Sequence, residues 1–117
     1  MTLSSTTGSF EFKNGSLLIN LPDELAPIES LIGDIESCGG DPSPWLNLID
    51  KVLSGESNFE ECTGNSTSLE IQRDVTKVVD NFALDELIDD CIINTEELRK
   101  IIVLWAEEYK ARKNMSM

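Results

Sequence analysis

The sequence predicts an α+β fold, an antiparallel β-sheet meander with an N-terminal hairpin, packed by two or three α-helices including a C-terminal amphipathic one. Three observations point there. Apolar residues flank Asn14-Gly15, a dipeptide that supplies the two positive φ angles of a type I′ hairpin turn. The stretches Trp45 to Leu53 and Leu98 to Tyr109 place apolar residues at helical spacing. Between them, Asn58 to Ile93 arranges its apolar residues in short runs separated by turn-forming groups, the pattern of strands.

Taken in order, Phe10 and Phe12 alternate with polar neighbours, and Leu17, Leu18, Ile19 and Leu21 supply the returning strand until Pro22 stops the ladder. Asp23 is then placed to cap a helix in which Leu25, Ile28, Leu31, Ile32 and Ile35 recur before Gly39-Gly40, although Pro27 and Gly33 oppose it. In the next segment Ser43 is expected at the N-cap and Pro44 at the first helical position. Trp45, Leu48, Ile49, Val52 and Leu53 follow on one face, and Gly55 closes the helix. The meander is read as three or four strands, with turns at Gly64-Asn65-Ser66 and Asp80-Asn81 and a β-branched strand at Thr76 to Val79. Phe82 to Ile92 fits a strand or a helical turn around Leu84 to Leu87. The last helix opens at Asn94 or Thr95 with Glu97 as a capping-box acid, and Leu98, Ile101, Ile102, Trp105 and Tyr109 form its stripe. Glu96 with Lys100 and Glu108 with Arg112 stand at favourable i, i+4 spacing.

Length and composition bound the function. The 117 residues suit one domain spanning 1–117 with loose ends at 1–8 and 113–117, and such a domain buries roughly two thirds of its unfolded surface. Its 22 acidic and 9 basic residues give a net charge of -13, wrong in sign for a nucleic-acid-backbone binder. With no histidine, imidazole acid-base catalysis, Ser-His and Cys-His nucleophiles and histidine-ligated zinc are excluded. The first ten residues lack a basic and an apolar signal region, and no apolar run approaches a membrane span, so a cytoplasmic protein is expected. Cys38, Cys62 and Cys91 lie far apart, the spacing of reduced, buried thiols.

The adjacent acids Glu60-Glu61, Asp89-Asp90, Glu96-Glu97 and Glu107-Glu108 do not suit paired-carboxylate catalysis, because neighbours point to opposite faces of a strand and about 100° apart on a helix. Asp85, Asp89 and Asp90 lack the spacing of a divalent-cation loop, and the glycines form no phosphate-binding motif. No catalytic residue, metal or cofactor is therefore expected. Trp45 and Trp105 fall on periodic apolar stripes and are assigned to the core. What stands out is the charge pattern. From Asp80 to Glu97 there are seven acids and no base, and from Asp23 to Glu61 ten acids against Lys51 alone. A surface of that kind accelerates association with a basic partner, and nucleases are basic because their clefts attract phosphate. Asp80, Asp85, Glu86, Asp89 and Asp90 are the first candidate contacts. Glu60, Glu61, Glu70 and Asp74 form a second patch if the meander brings them alongside.

The order of features, from the hairpin through W-L-N-L-I-D-K-V-L-S-G-E (Trp45 to Glu56) to I-D-D-C-I-I-N-T-E-E-L-R-K-I-I-V-L-W (Ile88 to Trp105), resembles small bacterial immunity proteins. More narrowly, it is similar to those of contact-dependent growth inhibition and related polymorphic toxin systems, across Ser9 to Lys110. The resemblance implies a stoichiometric inhibitor, without turnover or cofactor, that binds the C-terminal domain of a cognate toxin, often a tRNase or DNase. It carries over no contact residue, so the candidate acids rest on charge clustering alone. Two other classes remain: an acidic nucleic-acid mimic using the Asp80 to Glu97 run, and a cytosolic protein-binding module with an apolar groove beside Trp45 or Tyr109. Charge-led binding weakens steeply with salt, and groove binding does not.

Overall fold

A computed structural model describes residues 10–13, 16–19, 21, 25–64, 66–81 and 90–115, without the side chains of 10–13, 16, 18 and 112–115. Two strands, β1 (Phe10–Lys13) and β2 (Ser16–Ile19), pair antiparallel with Lys13 opposite Ser16. The hairpin expected from the sequence forms, with its two connecting residues, Asn14 and Gly15, outside the described residues. Pro22 and Asp23 also lie outside the described residues, and the helix N-cap position belongs to Leu25 rather than Asp23.

Helix α1 (Ala26–Ser37) tolerates Pro27 because the proline stands in the first turn, where its missing N–H has no intrahelical acceptor to lose. Gly33 lies on the exposed face, where an added Cβ would meet nothing. The helix ends at Gly39 and Gly40, both at positive φ, and Gly40 N–H donates to the Ile35 carbonyl at 3.0 Å. At Gly40 a Cβ would also overlap the ring of Tyr109, which stacks on Trp105 with centroids 4.8 Å apart. Gly40→Ala combines strain with a clash, and should cost about 2 kcal/mol in a urea melt; a change under about 0.5 kcal/mol would show that the turn relaxes freely.

Helix α2 (Ser43–Leu53) begins one residue earlier than the sequence suggests: Pro42 holds the N-cap and Ser43 is already helical. Asp41 supplies the capping oxygen, accepting from Ser43 N–H at 3.0 Å and Ser43 Oγ at 2.7 Å. Those bonds, the hydroxyl's first, hold the Asp41 carboxyl below its ordinary pKa.

The meander is four strands: β3 (Phe59–Thr63), β4 (Thr67–Gln72), β5 (Val75–Asp80) and β6 (Asp90–Asn94), antiparallel in the order β3-β4-β5-β6. The first pair is joined at Gly64 and Ser66, where the turn is expected, with Asn65 outside the described residues, and Arg73-Asp74, a turn without Gly, Pro or Asn, joins the second. The alternative helical reading of Phe82 to Ile92 falls largely on 82–89, outside the described residues, and its described end, from Asp90, is strand. Helix α3 (Thr95–Met115) is capped by Asn94, whose Oδ1 accepts from Glu97 N–H at 3.0 Å. Thr95 turns inward instead, its hydroxyl bonding Thr76 Oγ1 and the Gln72 carbonyl. Of the loose ends expected at 1–8 and 113–117, residues 1–8 and 116–117 lie outside the described residues, and 113–115 form the end of α3.

Helices cover one face of the four-stranded sheet. Leu69, Ile71, Val78, Cys91 and Ile93 point into the core and meet Ile28, Leu31, Ile32 and Ile35 of α1, Trp45, Ile49 and Val52 of α2, and Leu98, Ile101, Ile102 and Trp105 of α3. Both tryptophans are buried, as their stripes predict. The hairpin adds Leu17 and Ile19, and its backbone is gripped at both polar ends. Trp105 Nε1 donates to the Leu17 carbonyl at 2.9 Å, while Leu17 N–H donates to Glu36 Oε2 at 3.1 Å.

Candidate functional site

The acids that look alike in the sequence divide into two populations. Many of the ten between Asp23 and Glu61 work inside the fold. Glu29 accepts from Leu21 N–H at 3.0 Å and Glu36 from Leu17 N–H, so α1 holds the hairpin through two carboxylates. Asp50 pairs with Arg99 at 2.7 Å, tying α2 to α3. Asp34 is buried and accepts five bonds from the β3–β4 turn: Ser66 N–H at both oxygens (3.0 and 3.1 Å), Ser66 Oγ (2.7 Å), Thr67 N–H (3.0 Å) and Thr67 Oγ1 (2.6 Å). Gly64 lets that turn approach, since a Cβ there would stand 2.8 Å from Asp34 Oδ2. The acidic surface inferred from composition is thus narrower than the charge count suggests.

One helical turn before Asp34, Ser30 Oγ donates to Asp80 Oδ2 at 2.7 Å. Asn81 N–H donates to the Ser66 carbonyl at 2.8 Å and its side-chain amide to Ser68 Oγ at 3.0 Å. The β3–β4 turn and the exit of β5 are therefore fixed together, at the end of the sheet where the connection carrying Asp85, Glu86 and Asp89 leaves. Those three acids lie outside the described residues. Asp80 faces the helices and Asp90 the opposite side, where it stands 3.7 Å from Lys77 Nζ.

The second patch does not assemble as one. Glu61 and Glu70 are direct cross-strand partners on the side away from the helices. Glu60 points to the helix side of edge strand β3, and Asp74 sits in the turn at the far end, its carbonyl accepting from Thr95 N–H at 3.1 Å. Strand parity decides this: residues 60 and 61 necessarily diverge.

The side away from the helices is an open face with a definite grid. One row runs Glu61, Glu70, Lys77, Ile92 across the four strands; a second sets Thr63, Ser68, Val79 and Asp90 in line. Phe59, Val75 and Ile92 project from this face with 43%, 39% and 65% of their surface exposed, three of the four large apolar side chains exposed among the described residues. The sequence places these three in the apolar runs of the meander without assigning them a face. The available signal was alternation: in Asp90-Cys91-Ile92-Ile93-Asn94 the inward residues are Cys91 and Ile93, which leaves Ile92 outside.

The cysteines differ from the buried set expected. Cys91 is buried, Cys62 half-buried and Cys38 exposed, just past the last turn of α1, and all three are free. Burial, and then the Asp90 charge, push the Cys91 thiol up to about 11. Burial and the Asp34 charge raise Cys62. Neither forms an activated thiolate at neutral pH. Two shallow clefts flank Asp41, one beside Gly40 and Tyr109, the other beside Cys38, Trp45 and Cys62. No group of three metal-ligating side chains gathers among the described residues, and no described helix is long and apolar enough to cross a membrane.

Comparison with known proteins adds one relationship. A Bacillus cereus protein named "Immunity protein" is 40% identical to this chain over 114 residues, spanning 93% of this chain and 95% of the relative. No family model and no solved structure matches the chain.

Proposed function

The chain belongs to the immunity protein family, and from that premise we propose that it is a stoichiometric, non-catalytic inhibitor that binds and neutralises a cognate bacterial toxin domain in the cytoplasm of the producing cell. The single observation that carries the reading is the relationship to an immunity protein along almost the whole chain. The finer reading is a contact-dependent growth inhibition or polymorphic toxin system whose toxin is a basic nuclease. The net charge of -13 supports it, since a basic cleft built for phosphate is drawn to such a surface. The proposed contacts are Asp85, Glu86, Asp89 and Asp90, which follow the end of β5 that Ser30 and Asn81 fix in place. Glu61 and Glu70 lie on the same side of the sheet as Asp90 and extend that surface.

The test is capture of the tagged chain from its own bacterium at low salt, with mass spectrometry, repeated at high salt and followed by co-expression with the captured toxin. A basic toxin domain in equimolar amount, released by salt and no longer lethal in cells that carry the chain, is the expected result. Recovery of nucleic-acid-binding machinery alone, with no protection, would transfer the chain to the class of nucleic-acid mimics.

A further inference from the structure

We propose that the toxin docks on the open face of the four-stranded sheet, with Ile92 as its apolar anchor and the Glu61–Glu70 pair as the receptor for a lysine or arginine. This rests on the immunity reading above and specifies the surface that performs it. Three features of the face separate it from an ordinary solvated sheet. Ile92, Phe59 and Val75 leave their surface in water on one side of one sheet, although single exposed apolar residues usually scatter. Glu61 and Glu70 stand directly opposite across β3 and β4, an arrangement that destabilises a sheet. Neither forms an ion pair among the described residues, for Lys77, opposite Glu70 in register, has its ammonium at Asp90 instead. A like-charged pair kept unneutralised beside exposed apolar side chains suits a partner that brings both a cation and an apolar contact.

The occupant is a basic protein surface rather than a second copy. A second copy would bring a chain of net charge -13 against another of the same charge, which opposes association. A toxin surface bearing Lys or Arg beside an apolar patch neutralises the pair on β3 and β4 and covers Ile92 on edge strand β6, at the other end of the same row. The face also includes Asp90, the first residue of β6, opposite Val79.

Two variants test this against the toxin domain that co-purifies with the wild-type chain, purified separately. Ile92→Thr keeps a β-branched residue in the strand and removes the apolar anchor, and should weaken binding at least roughly tenfold. The double variant Glu61→Gln, Glu70→Gln should slow association by roughly tenfold at about 50 mM salt, and much less at high salt. The same double variant should melt at a higher temperature than wild type, because the cross-strand repulsion is gone, a gain that a purely structural pair of acids would not show. If wild type binds and protects while both variants bind within about twofold of it, the face is not the docking surface and the immunity reading stands. A dimer of the chain that these variants dissolve would assign the face to a second copy and overturn the proposal. If wild type itself neither binds a toxin nor protects, the immunity reading falls and takes this assignment with it.

Discussion

Asp34→Ala is expected to lose about 3 to 5 kcal/mol of stability, the largest loss of any single change to a carboxylate among the described residues. The carboxylate is buried and receives five hydrogen bonds, and its removal leaves the Ser66 and Thr67 N–H groups and two hydroxyls without their acceptor in a place water does not easily reach. The damage is not confined to one turn. Through Asn81, the Ser66 carbonyl also holds the exit of β5, so the end of the sheet loosens as a unit. Asp34→Asn should recover little, since its amide nitrogen replaces one accepting oxygen with a donor facing other donors. In contrast, Asp50→Ala removes an exposed pair with Arg99 and should cost less than about 1 kcal/mol. Urea melts with matched m-values check both. An Asp34→Ala protein within about 1 kcal/mol of wild type would mean that water takes over the turn.

Periodicity was enough to read the fold because each element buries one face. Trp45, Ile49 and Val52 at i, i+4 and i+7 predicted α2, and Leu98 to Trp105 predicted the stripe of α3. Pro27 argued against α1 only while its position in the helix was unknown; in the first turn it costs nothing. The expected caps of α1 and α2 missed by two residues and by one for a related reason, whereas Asn94, one of the two expected for α3, is its cap. Asp41, Ser43 and Asn94 are all competent caps, and the tertiary structure chooses among neighbours, giving Thr95 a buried partner in Thr76 and leaving Asn94 to cap. The Arg73-Asp74 turn carries Asp74 but no glycine, proline or asparagine, so no turn was marked there, although the β-branched run from Thr76 placed the start of β5 within one residue.

The site was less legible than the fold, because charge is counted along the chain and recognition happens in space. Glu29, Asp34, Glu36 and Asp50 contributed to the acidic balance from which a docking surface was inferred, yet each is bonded within the protein. Glu60 and Glu61 are adjacent in sequence and on opposite sides of β3, whereas Glu61 and Glu70, nine positions apart, are opposite each other. Register alone decides which acids add their fields, and register follows from which of Leu69 or Glu70 must be buried.

Reversal of Asp85, Glu86, Asp89 and Asp90 together to lysine is expected to abolish neutralisation while leaving the fold intact. Each reversal changes the charge by two, so the four bring the chain from -13 to -5 and place a cationic cluster where a basic toxin is proposed to dock. The attraction that accelerates encounter becomes repulsion, and charged groups that fail to pair at a desolvated contact cost several kcal/mol. Folding should survive, because the one described member, Asp90, is exposed and its pairing with Lys77 at 3.7 Å is a surface contact of small worth. Asp80, bonded to Ser30, is deliberately left in place, since its loss would detach β5 from α1 and confuse binding with stability. Protection of cells against the co-expressed toxin is the readout, with a melting curve to show that the variant is folded. A folded variant that protects as well as the parent would leave the acids of the β5–β6 connection as a solvated surface. If Ile92→Thr then still lost binding, the weight of recognition would shift to the open sheet face, with apolar contact rather than charge as its centre.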